Sequence, residues 1–229
     1  MTKTKRFDAV LLIEKTNFTH LVKDIFNETL NLSFRKKIIF IRNDQDLYKI
    51  NKFKKFDYLF NFQHRIIKEE ILKNINFPIN FHPGPPKYPG RGGYAWAIYD
   101  NSKYYGCVAH IMKKGVDSGK ILDTAKFPIE KHDTIESLKF KSFLTNLKIF
   151  YGILHKLNFN KKITFKKTKW KRKPLKLIDL KKINTFHKHS SKKIKDLITR
   201  ATEYYPFGPF FIDKGNIIKL KIKKKKHIF

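Results

Sequence analysis

The alternation of short apolar runs with helical periodicity through the first eighty residues constrains this chain more than any other feature. FDAVLLI (7–13) is an apolar run of strand length, and behind it Phe18, Leu21, Val22, Ile25 and Phe26 recur at helical spacing after a Thr16/Asn17 cap. KIIFIR (37–42) and DYLFNF (57–62) read as further strands, IIKEEILKNI (66–75) as a helix and PINFH (78–82) as a fourth strand. Strand, helix and strand in succession predict an α/β fold, a Rossmann-like, mainly parallel sheet with helices on both faces. Ligands of such sheets bind beyond the carboxyl ends of the strands. Asn80 and His82 close the fourth run, and two residues apart on an extended segment their side chains point the same way.

The chain then breaks into PGPPKYPGRGG (83–93), whose prolines and glycines exclude regular structure. A helix is predicted over Tyr94–Asp100, a strand over Gly106–Met112, a tight turn around Gly115–Gly119 and a returning strand over Lys120–Ile129. A long helix follows, with Asp133 and Glu136 in capping-box spacing and Ile135, Leu138, Leu147, Phe150, Leu154 and Leu157 on its apolar face. Beyond Asn158 the pattern changes to a basic, weakly periodic stretch, a short helix around Ile194–Thr202 and a hairpin in FFIDKGNIIKLKI, turning at Asp213–Asn216. The tail KKKKHIF reads as frayed. The organisation is therefore an α/β domain over 1–158 and a small basic C-terminal helix and β-hairpin segment over 159–229.

Charge invites a nucleic-acid reading, since the chain carries 51 Lys and Arg against 19 Asp and Glu. Only seven of those cations are arginines, the planar fork that phosphate and base recognition prefer, and the abundance of Lys, Ile, Asn and Phe matches AT-rich coding bias. Within 161–229 the cations meet only Asp179, Asp196, Glu203 and Asp213, which makes the C-terminal third the anion-facing part. No apolar run approaches the about 20 residues of a membrane helix, and Met1–Asp8 lacks the apolar core of a signal peptide. A soluble, cytoplasmic protein is the expectation. Cys107 is alone, and between Gly106 and Val108 it reads as an ordinary buried thiol.

The chemistry gathers at the strand end. A histidine that titrates near neutrality, an amide and a carboxylate can move a proton while stabilising a developing oxyanion. Asp117, in the turn GVDSG, is the carboxylate candidate, because that turn returns a strand pair to the same region.

Read in order, "NFHPGPPKYPG" followed by "YGCVAHIMKKGVDSGKIL" resembles the 10-formyltetrahydrofolate-dependent formyltransferase family, whose pattern is Asn-x-His at a strand end, a Pro/Gly-rich loop and a later Asp-x-Gly turn. Asn80, His82 and Asp117 hold those positions, with Gly119 after the aspartate. The resemblance is strong over 57–130, fainter to Leu157, and in "ITRATEYYPFGPFFIDKGNIIKL" it is similar to the C-terminal segment of the nucleotide-sugar members. It implies attack of a primary amine on the formyl carbon of 10-formyltetrahydrofolate, with Asn80 and protonated His82 as oxyanion donors and Asp117 orienting His82 or relaying the proton. It also implies a largely backbone folate pocket at Arg65, Ile66, Ile67, Val116 and Asp117, with His110, seven residues before Asp117, as a further polar candidate. No metal is implied: His82, His110 and Asp117 lack the local spacing of a helix-borne site.

Two departures bear on the acceptor. The loop after the histidine reads Gly84, Pro85, Pro86, Lys87, Tyr88, Pro89 where the family has a small residue, Leu, Leu and Pro, and the first strand lacks a glycine turn. Chain length favours a nucleotide-linked amino sugar, for whose diphosphate Lys87 and Arg91 are candidates, with Tyr88, Trp96 and Trp170 as stacking surfaces. Sugar-modifying members are often dimers through their C-terminal portion, which makes FFIDKGNIIKL a candidate homodimer interface. Methionyl-tRNA, glycinamide ribonucleotide and a non-enzymatic RNA-binding role are the alternatives.

Overall fold

The computed structural model describes residues 6–52, 55–203 and 208–220; the tail 223–229, expected to fray, lies outside them. In chain order the elements are β1 (Phe7–Ile13), α1 (Thr19–Thr29), β2 (Phe34–Phe40), α2 (Asp44–Leu47), a 3-10 turn (Tyr48–Lys52), β3 (Phe56–Phe62), α3 (Glu69–Leu72), β4 (Ile75–His82), α4 (Gly93–Tyr99), β5 (Tyr104–Ile111), β6 (Ile121–Pro128) and α5 (Ile135–Asn158). A second 3-10 turn (Leu177–Lys182), β7 (Thr185–His187), α6 (Lys192–Thr202), β8 (Phe210–Asp213) and β9 (Asn216–Lys219) follow.

Six strands form one sheet in the order β2-β1-β3-β4-β5-β6. The first four are parallel, and β5 and β6 run antiparallel at one edge. Both faces are covered, which is why β1 reads as a continuous apolar run. Ala9, Leu11 and Ile13 pack beneath α1 and α5, while Val10 and Leu12 pack on the other face with Leu47, Ile71 and Leu72. Phe150 of α5 lies edge-on to Phe60, Phe62 and Phe81, with ring centroids 5.6, 4.9 and 5.1 Å away, fixing the long helix across β3 and β4. The C-terminal segment joins through a third cluster, in which Leu180, Ile183 and Ala201 meet Ala95 and Ile98 of α4 and Ile135 and Leu138 of α5.

Local differences from the sequence reading have physical causes. The helix expected over 66–75 is the single turn α3, because Ile75 is claimed by pairing with Phe56 and Lys68 is extended. Thr134, not Asp133, caps α5, in a reciprocal pair with Ser137. Asp133 instead accepts from the Ser137 hydroxyl and the Lys141 ammonium, each at 2.7 Å. The N-cap of α1 is Phe18, which makes no side-chain cap bond, and the Thr16 hydroxyl takes the Phe18 N–H. The expected C-terminal hairpin, β8 with β9, is joined by β7, a three-residue strand parallel to β8 that sequence periodicity is too short to reveal. No helix among the described residues is long and apolar enough to cross a membrane.

Candidate active site

Strand alternation builds the site. On β3 and β4, Phe60, Ile79 and Phe81 point into the core beneath α5, so Asn61, Asn80 and His82 emerge on the opposite face. Cys107 and Ala109 do the same on β5 and send His110 across. Register sets these residues side by side: Asn61 is level with Asn80 in the parallel pair, and Asn80 is level with His110 in the antiparallel one. The β5/β6 register slips between Ala109 and His110, a bulge of the kind that re-aims a side chain.

Asp117 closes the cluster from the turn after β5. Its Oδ2 lies 3.1 Å from His82 Nδ1 and accepts the Gly90 N–H at 2.7 Å, and its Oδ1 lies 3.2 Å from His110 Nε2. Burial pushes the Asp117 carboxyl up, but His110, His82 and the Gly90 N–H together outweigh it and hold the group below the ordinary carboxylate value. Burial also dominates at His82 and lowers its pKa, against the pull of Asp117 and the Tyr88 carbonyl. His82 Nε2 is 3.1 Å from Tyr88 O and Nδ1 is 3.1 Å from Asp117 Oδ2, both pure acceptors, so a neutral ring can donate to only one of them. The ring and its two acceptors therefore have a place for one further proton, which the carboxylate favours.

The proline-rich loop and the C-terminal segment frame this cluster. A Cβ on Gly84 would stand 2.4 Å from His82 Nε2, so the loop approaches the ring as only glycine allows. Gly90 has φ +84° and meets the Leu175 backbone, to which a Cβ would be 2.3 Å away. Residues 166–175 run as a strap across the loop: Lys171 N–H bonds Pro86 O, Leu175 N–H bonds Pro89 O, and Arg91 N–H returns to Leu175 O, at 2.8 to 2.9 Å. The strap carries Trp170, whose indole N–H donates to Gly119 O at 2.8 Å. That anchor stands the ring edge-on to His82 and His110, at centroid distances of 5.7 and 5.1 Å.

The other candidates separate. Ile66 is 74% and Val116 41% exposed, while Ile67 is buried in the core that α3 covers. Arg65 is bonded to Asp44 and to the Arg42 carbonyl at 2.8 and 3.0 Å. Tyr88 is buried, its hydroxyl 2.7 Å from both Asp100 and Ser102, so its backbone carbonyl rather than its ring faces the site. Trp96 packs in the core with α4 and bears the Arg172 guanidinium at 5.9 Å from its ring centroid. Lys87 and Asp100 border a cleft of about 430 Å³ with Lys171 and Arg172; Arg91 is exposed. Cys107 is buried, bonded to Ser142 O, and its thiol is pushed up to about 12. Sequence reading missed Asn61 and Gln63, although Asn-Phe-Gln (61–63) echoes Asn-Phe-His (80–82) at the end of the neighbouring strand.

Residues 50–151, a little under half of the chain, match the family model described as Formyl transferase. Among curated proteins, methionyl-tRNA formyltransferase of Caldanaerobacter subterraneus subsp. tengcongensis is 33% identical over 101 residues, 43% of this chain and 33% of that enzyme, so the matched segment spans about a third of its relative. Two solved structures share the fold over most of their length. A 4-N formyltransferase from Francisella tularensis superposes with a TM-score of 0.70 at 15% identity, covering 96% of this chain and 99% of that one. An N-formyltransferase from Helicobacter canadensis, in complex with folinic acid and dTDP-3-aminofucose, does so at 0.66 and 19% identity, covering 90% and 84%.

Proposed function

We propose that the protein is an N-formyltransferase that moves a formyl group from 10-formyltetrahydrofolate to the primary amine of a nucleotide-linked amino sugar. The observation that carries this reading is the convergence of Asn80, His82 and Asp117 on one buried face, inside the segment that matches the formyl transferase family.

The residues present fit the donor. A part-buried amide and a buried histidine–carboxylate pair stand where an acyl oxygen needs donors and an amine needs a proton acceptor, and exposed Val116, next to Asp117 in the chain, offers apolar surface. When bound, the donor supplies an N-formyl carbon, whose bond to folate nitrogen is exchanged for a bond to the acceptor nitrogen. Asn80 Nδ2 donates to the formyl oxygen as negative charge develops there. His82, neutral because it is buried, takes the proton that the attacking amine loses, and Asp117 holds the resulting imidazolium. The same proton then passes to the departing folate nitrogen, leaving the pair as it began. The packing of Trp170 against both histidines keeps bulk water from that proton.

For the acceptor, the cleft lined by Lys87, Asp100, Lys171 and Arg172 favours an anionic group such as a diphosphate. It draws on the proline-rich loop, in which the chain departs from the family pattern, and on the C-terminal segment. The test supplies 10-formyltetrahydrofolate with nucleotide-linked amino sugars, glycinamide ribonucleotide or methionyl-tRNA and measures N-formylated product. Formylation of the sugar alone is expected. Formylation of methionyl-tRNA instead, with steep salt dependence, moves the assignment to tRNA, and no formylation of any acceptor overturns it.

A further inference from the structure

Behind Asn80 lies a chain of side-chain amides that the transfer chemistry does not use directly. Asn61 Nδ2 donates to Asn80 Oδ1 at 2.7 Å, and Gln63 Nε2 donates to Asn61 Oδ1 at 2.8 Å. Gln63 Oε1 in turn accepts the backbone N–H of Arg65. On the other side, Asn80 Nδ2 is 3.1 Å from His110 Nε2, and His110 Nδ1 is 3.0 Å from the carbonyl of Ile111. Asn61 and Gln63 are buried, so reversing either amide costs hydrogen bonds that water cannot replace.

The Arg65 end of this chain is a backbone group whose polarity is invariant. Arg65 N–H can only donate, so Gln63 must present its oxygen there and its nitrogen to Asn61. On the His110 side nothing fixes the polarity, because the ring stands between two pure acceptors, the Ile111 carbonyl at Nδ1 and Asp117 Oδ1 at 3.2 Å from Nε2. Each amide from Gln63 to Asn80 is therefore oriented from the Arg65 end. Two further bonds brace the array: Gln63 Nε2 to Arg65 O at 2.9 Å and Asn61 Nδ2 to Gln63 O at 3.1 Å.

We infer that Asn61 and Gln63 are positioning residues whose function is to fix the flip state of the Asn80 amide, so that its nitrogen, and never its oxygen, faces the reacting formyl group. An asparagine amide is nearly symmetric in shape, so packing alone selects poorly between its orientations, yet one offers an oxyanion a donor and the other a repelling oxygen. The inference rests on the formyl-transfer reading for its catalytic consequence, but the orientation itself stands independently of it.

Two measurements test it. In the wild-type protein, a through-hydrogen-bond coupling between ¹⁵N of Asn61 Nδ2 and ¹³C of Asn80 Cγ is expected at neutral pH; its absence overturns the inference whatever the protein catalyses. In Asn61→Asp the carboxylate accepts only, so Asn80 turns its nitrogen away from the site. The expected result is a fall in kcat of about a hundredfold, the scale of one lost oxyanion donor, with KM for donor and acceptor unchanged. Because Asn61 acts through Asn80, Asn61→Asp added to Asn80→Ala should cost nothing more. Gln63→Glu, which keeps the acceptor for Arg65 N–H and reverses the chain one link further out, serves if Asn61→Asp does not fold. Wild-type kcat in a folded variant, or losses that multiply in the double mutant, overturns the inference. Failure of the wild-type protein to transfer formyl to any acceptor would instead count against the function proposed above.

Discussion

Asp117 reaches both buried histidines at once, with Oδ2 at 3.1 Å from His82 Nδ1 and Oδ1 at 3.2 Å from His110 Nε2. A single carboxylate thereby joins β4, β5 and, through Gly90 N–H, the proline-rich loop. Its backbone takes a positive φ of 41°, a conformation that aspartate tolerates better than most residues.

If Asn80 is an oxyanion donor, Asn80→Ala should lower kcat for formyl transfer by roughly a hundredfold or more, about 3 to 4 kcal/mol of transition-state stabilisation. His82→Ala should cost roughly 10² to 10⁴ as a lost proton acceptor. Circular dichroism should show both variants folded. Near-wild-type turnover in both would remove these residues from the chemistry.

Stability should fall with acid in two stages. His82 is held below its ordinary 6.5, so its contribution is complete above that pH and is withdrawn as pH falls through the folded value. Asp117 is held below 3.8, and its contribution is lost further down with the same sign. The Tm advantage of wild type over His82→Gln should shrink between pH 7.5 and 5. A difference that stays constant across that window refutes the assignment of a buried neutral histidine.

The two loop glycines should fail in different ways. At Gly84 an added Cβ presses on a side chain, the His82 ring, so Gly84→Ala should cut activity more than stability. At Gly90 it meets the Leu175 backbone from a left-handed conformation, so Gly90→Ala should cost more than the about 1 kcal/mol of the φ penalty alone. Denaturant melts of the pair, beside their kcat values, separate the two effects.

Trp170 should control access to both histidines. Trp170→Ala should destabilise the protein by roughly 1.5 to 3 kcal/mol, the scale of one buried large side chain, and should speed modification of His82 and His110 by a histidine-specific acylating reagent. Mass-spectrometric rates at those two residues, compared with Trp170→Phe, give the readout; equal rates in all three proteins would show that the indole shields nothing.

The parallel sheet was readable because β1 and the second halves of β3 and β4 are buried on both faces and so carry runs that no helix of this length would need. Asn80 and His82 were readable for a related reason: polar residues two apart at the end of an apolar strand have one direction to point. Asn61 and Gln63 obey the same rule one strand away, but their role depends on the β3/β4 register, which no local pattern encodes. α3 was over-read because Ile66 and Ile67 continue a helical spacing while the first faces solvent and the second fills the core. Trp170 sits in a stretch without periodicity, and long-range bonds, from the strap to Pro86 and Pro89 and from the indole to Gly119, bring it to the histidines.

The strap that carries Trp170 also sets a schedule for the nascent chain. Ribosomes deliver Asp117 some 53 residues before Trp170, a lag of several seconds at roughly 5 to 20 residues per second. During that interval β4 and β5 can pair and gather both histidines with their carboxylate while the indole has yet to emerge. Competence is therefore conferred late in translation, and a ribosome that stalls beyond α5 would display an assembled but unshielded centre to the cell.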